Sequence, residues 1–156
     1  MSKVVSDRLP RQIVRAFDGQ DLESKIGPAH LLVTTDDDGT PRPCMLSAGE
    51  VLAPSDDRLR LILWTGSTTC HNLARGGPVL LCYVVGGDLW YVKGTPRALP
   101  PASSSKLERF EIEVHLVESD KHERMPVTGG ITFGLDRVDA AKVTAGWERQ
   151  LAALRE

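Results

Sequence analysis

Short turns between apolar runs set the fold class of this chain. DDDG at 36–39 separates a β-branched and leucine-rich run, 30–35, from a return run over 42–52. Its Asp-Gly pair suits a hairpin turn that needs positive φ. PSDD at 54–57 leads into a third run, 59–64, and Gly86-Gly87-Asp88 separates the continuously apolar 78–85 from 89–98. Strands joined by such turns are antiparallel, because a parallel pair needs a crossover of about a dozen residues or more. Residues 107–117 add a clean alternation, with Phe110, Ile112, Val114 and Leu116 facing a core and Glu111, Glu113 and His115 facing out. A doubly wound sheet is excluded, and a small closed or nearly closed antiparallel barrel of six or seven strands is expected.

Helices are predicted around this barrel. One covers 6–17, capped by Ser6 or Asp7, with Leu9, Ile13, Val14 and Phe17 on one face. A helical turn follows at 21–27, and a last helix covers 138–154, with Val143, Trp147, Leu151 and Leu154 as its apolar stripe. Loops are expected at 100–105 and 119–130, and a short strand at 131–135. A length of 156 residues with no repeat or boundary reads as one domain, 1–156. The net charge of -2 provides no basic field for nucleic acid. No apolar run approaches the roughly 20 residues of a membrane span, and the N-terminus lacks a signal-peptide core. Cys44, Cys70 and Cys82 form no CxxC pair, which argues against a zinc knuckle or disulfide framework and fits a cytoplasmic protein.

The stretch LWTGSTTCHNLARGG, 63–77, carries the chemistry. Ser67 suits a helix N-cap, and Cys70, Leu73 and Ala74 then share a core-facing side. A capped helix between two strands accounts for the stretch by itself. Gly66 also permits close approach of a ligand, and Thr68 and Thr69 add hydroxyls where an anion is favoured. This is not a Walker loop, since GxxxxGK is missing.

The order of these segments resembles the pyridoxamine 5′-phosphate oxidase-like family, over about residues 28–118. The matching parts are Gly39-Thr40-Pro41-Arg42-Pro43, Thr65 with Ser67, Asn72-Leu73, and Lys93-Gly94-Thr95. The resemblance implies a mainly β, six- to seven-stranded antiparallel split β-barrel with flanking α-helices. It implies a homodimer with FMN at its interface, acting as an oxidoreductase on a small-molecule substrate. Thr65, Ser67, Thr68 and Thr69 would hold the phosphate. Cys44, Met45, Leu46 and Ser47 would run beside the flavin, and Trp64 would form a pocket wall. Many flavin-binding members carry Ser-Arg-Lys where this chain has Ser67-Thr68-Thr69, so phosphate would rely on hydroxyls, the helix dipole and His71, Arg42 or Arg75. Relatives of the fold also use F420, haem or no cofactor. The alternative function is therefore a non-catalytic binding or stress-related protein with a weak or vacant site.

Other residues have structural readings. Cys70 and His71 are helix neighbours about 100° apart and do not face each other. His115 with Glu111 and Glu113 lacks a second group of ligands, so no metal site is expected and the three read as a solvated or interface face. His30 and the charged loop from Lys121 to Arg124 read as structural or solvated. Trp90 reads as core, and no residue is singled out as a catalytic acid or base.

Overall fold

A computed structural model describes residues 1–102 and 106–156; the loop expected at 100–105 therefore lies partly outside the described residues. The strands are β1 (Lys3–Ser6), β2 (His30–Thr35), β3 (Pro41–Leu46), β4 (Val51–Ser55), β5 (Arg58–Trp64), β6 (Val79–Val85), β7 (Asp88–Ala98) and β8 (Leu107–Lys121). The helices are α1 (Arg11–Ala16), α2 (Thr68–Ala74) and α3 (Ala140–Arg155), with a 3₁₀ turn at Leu22–Lys25. The sheet order is β3-β2-β6-β7-β8-β5-β4, every pairing is antiparallel, and β1 adds to β8 outside this path. This is the expected split barrel, with β3 and β4 at the two ends of that path.

Its interior is filled by alternate residues. Leu59, Leu61 and Leu63 of β5 join Leu32, Leu81, Phe110 and Ile112 inside, while Ile62 turns outward to Trp147, Leu151 and Leu154 of α3. β5 is thus apolar on both sides, because the barrel lies on one and α3 on the other. Arg60 and Arg109 donate to the Leu154 and Ala153 carbonyls at 2.8 and 2.6 Å. Cations there are favoured by the helix dipole.

Several local expectations are corrected. The first helix begins at Arg11 rather than near Ser6, because Pro10 is extended at its N-cap and β1 occupies Lys3–Ser6. The single return strand expected over 42–52 is two strands. Ser47 breaks it by donating N–H and O–H to the Glu50 carboxylate at 2.7 and 2.8 Å. The strand expected at 131–135 is an isolated bridge between Pro28 and Thr132. The alternation in β8 shifts where Lys93 pairs Leu116 but Gly94 pairs Val114. This one-residue bulge leaves Leu116 half-buried and Val117 fully buried. Glu111, expected outside in solvent, is only 6% exposed.

The turn at Ser47 also admits α3. A Cβ on Gly49 would overlap the Trp147 ring. Gly49→Ala is therefore expected to lower stability by roughly 1–3 kcal/mol through overpacking. The loss should appear as a lower urea midpoint with an unchanged slope.

Candidate functional site

The hydroxyl stretch lies where β5 hands over to α2. Gly66 makes the turn at φ 79°, with nothing near the place a Cβ would occupy. Ser67 caps α2, its Oγ accepting from the Cys70 N–H at 3.2 Å. The Cys70 thiol donates back to the Trp64 carbonyl at 3.2 Å, so the whole turn is tied to the helix. Cys70 is buried, and burial pushes its thiol up, which makes it a packing cysteine. His71 points away to Asp37.

The predicted residues fall into three places. Thr65 and Thr68 are exposed and Ser67 is half-buried, so these three present hydroxyls on the open side of the turn. Thr69 is buried, and its hydroxyl reaches the Cys44 thiol of β3. Burial pushes the Cys44 thiol up, and the Thr69 contact opposes that shift. Leu46 and Ser47 are buried, while Met45 is half exposed on the outer side of β3. The Thr69–Cys44 contact brings the β3 strand beside the hydroxyl turn. Trp64 stands apart at 66% exposure and lines a groove against α3.

The three side chains suggested for a phosphate, Arg42, His71 and Arg75, already meet carboxylates. Arg42 is fastened to Asp36 by contacts of 2.7–2.8 Å, and hydrogen bonding to Arg42 holds the Asp36 carboxyl below its ordinary range. Arg75 and His71 both meet Asp37, at 2.8 and 3.3 Å. Asn72 secures the acidic hairpin to α2, donating to Thr34 Oγ1 at 3.0 Å and to Asp36 Oδ1 at 2.8 Å. Glu108 accepts from the Gly66 N–H at 3.1 Å, adding a carboxylate at the lip of the turn. DDDG signals a turn through its Asp-Gly pair. Its three consecutive acids were the available sign that neighbouring cations would be neutralised.

Elsewhere, Glu113 pairs with Arg58 and His115 meets Thr95 Oγ1 at 2.9 Å. Among the described residues no group of three His, Cys, Asp or Glu side chains is placed to hold a metal ion. No helix among them is long and apolar enough to cross a membrane.

Comparison with known proteins gives the family. No family model matches the chain. The uncharacterized protein YclD of Bacillus subtilis (strain 168) is 31% identical over 153 residues, covering 97% of this chain and 96% of its own. Among solved structures, a candidate pyridoxamine 5′-phosphate oxidase of Lactobacillus delbrueckii superposes with a TM-score of 0.59 at 18% identity, covering 75% of this chain and 98% of its own. HupZ of Group A Streptococcus gives 0.53 at 12% identity, over 81% and 99%. The chain belongs to the same family as YclD, and its fold is the split barrel of the pyridoxamine 5′-phosphate oxidase-like proteins.

Proposed function

We propose that this protein is an FMN-binding oxidoreductase that works as a cytoplasmic homodimer on a small-molecule substrate. The observation that carries the reading is that Asn72 fastens α2 to the β2–β3 hairpin, at Thr34 and Asp36, so that β3, an edge strand, and the hydroxyl turn belong to one neighbourhood. An edge strand offers unpaired backbone groups to a ring. The turn offers the Thr65, Ser67 and Thr68 hydroxyls and the first amides of α2, which lack intrahelical partners. These neutral donors fit a flavin phosphate, although Arg42 and Arg75 nearby are paired with Asp36 and Asp37.

The dimer reading draws on the outer sheet face. Met45, Leu31 and Cys82 stand in register across β3, β2 and β6, and Val33 stands opposite Leu80. Met45 is half exposed and the other four are half-buried, an apolar face of the kind that a second copy covers. A flavin bound there supplies the electron carriage. The chain's own part is to bind and orient it: Glu50 holds Ser47 at the end of β3, and Ser67 holds the turn shape through Cys70.

Titrating FMN and riboflavin tests this. Thr68→Arg is expected to tighten FMN about tenfold and leave riboflavin unchanged, because it adds a charge-assisted contact to phosphate alone. Thr68→Ala is expected to weaken FMN selectively. Equal effects on both ligands would remove phosphate from this turn. A second reading, a non-catalytic protein with a weak or vacant site, is favoured by the Glu108 carboxylate beside the turn and by Asp37, which already holds Arg75. A colourless protein that ignores added FMN would select it.

A further inference from the structure

A groove of about 420 Å³ separates the exposed Trp64 from α3. Trp147, itself buried, is part of its lining. Lys142, Gly146 and Arg149 follow one another at spacings of four and three, which puts them on one stripe of the helix. The glycine leaves a notch between the two cations.

Three features set this groove apart from an ordinary solvated helix face. Lys142 and Arg149 make no ion pair or side-chain hydrogen bond among the described residues. The lining contains these two cations and no carboxylate, in a chain whose net charge is -2. Packing does not require the glycine. A Cβ at Gly146 would meet only the Arg149 guanidinium, at 3.9 Å, whereas one at Gly49 would overlap Trp147. A helix interior is weakened by glycine, so its effect here is to keep the notch open.

We propose that this groove binds a planar aromatic molecule carrying an anionic group. The ring lies against the Trp64 indole, and the anion sits at the notch between Lys142 and Arg149. An exposed indole gives a flat apolar surface. Lysine and arginine on either side give charge-assisted hydrogen bonds to sulfonate, carboxylate or phosphate. The site does not rest on the flavin reading, and its test uses no flavin.

The probes are anilinonaphthalene sulfonate and its uncharged parent, phenylnaphthylamine, titrated by their own fluorescence. The parent protein is expected to hold the sulfonate about tenfold more tightly than the uncharged dye. Lys142→Ala with Arg149→Ala should bring the ratio to about one by weakening the sulfonate alone. Gly146→Leu should weaken both dyes while the thermal midpoint stays the same or rises, since leucine favours the helix. Trp64→Ala should also weaken both. Unchanged sulfonate affinity in the double variant would overturn the proposal. So would unchanged binding of both dyes in Gly146→Leu, because that variant fills the notch without breaking the helix.

Discussion

Replacing Glu111 with glutamine is expected to destabilise the protein by roughly 3 kcal/mol. Glu111 is 6% exposed on β8. Its two oxygens meet Arg97 at 2.5 Å and Arg60 at 2.9 Å, and Arg58 approaches at 3.8 Å. Burial works to raise its carboxyl, but Arg60 and Arg97 outweigh that and hold it below the ordinary range. Removing this buried negative charge leaves guanidinium groups facing each other. Breaking a buried pair costs about 3–5 kcal/mol, and the solvent reaching Arg97 places this case at the low end. Urea unfolding at neutral pH measures the loss. A double-mutant cycle with Arg60→Gln should give a coupling of about 1 kcal/mol or more. A loss under about 0.5 kcal/mol, the scale of an ordinary surface change, would mean that solvent compensates the arginines. The same contacts make a pH prediction. A lowered carboxyl contributes stability above its unfolded value, and that stability is lost as pH falls through the folded one.

The second large effect is acid destabilisation through His30. Its ring meets those of Phe17 and Tyr83, with centroids 5.0 and 5.1 Å away, and burial lowers its pKa from 6.5 to about 4. The folded state therefore keeps this histidine neutral where the unfolded chain protonates it. The unfolded state binds more protons between these two values, so stability is full above pH 6.5 and falls toward pH 4. Between pH 7 and pH 5 the contribution amounts to roughly 2 kcal/mol. His30→Phe should remove that part of the slope and leave the part due to carboxylates. Urea midpoints of the parent and the variant at both pH values make the comparison. Parallel pH curves would show that His30 accepts its proton without cost to the fold.

Much of the architecture was legible in the chain. Residue period and turn chemistry are local properties, so DDDG, PSDD and Gly86-Gly87-Asp88 located three hairpins, and Ser67 announced the α2 cap. Local information was weaker where two devices produce the same pattern. Residues 42–52 read as one strand because apolar residues flank Ser47-Ala48-Gly49-Glu50 on both sides, and the turn there is fixed by a side-chain hydrogen bond. β1 was missed because a four-residue strand gains its identity from pairing with β8.

The candidate site divides in the same way. The sequence alone determined that hydroxyls cluster at a strand-to-helix turn, since neighbours in the chain remain neighbours in space. Tertiary structure decided which of them face outward, turning Thr69 to Cys44 and leaving Thr65, Ser67 and Thr68 on the open side. It also decided that Asp36 pairs with Arg42, that Asp37 pairs with Arg75 and meets His71, and that Glu111 is buried among arginines rather than solvated. The physical reason is range. Periodicity and capping act over a few residues, whereas burial and charge pairing depend on segments that folding brings together, such as residues 37 and 75 or 60 and 111.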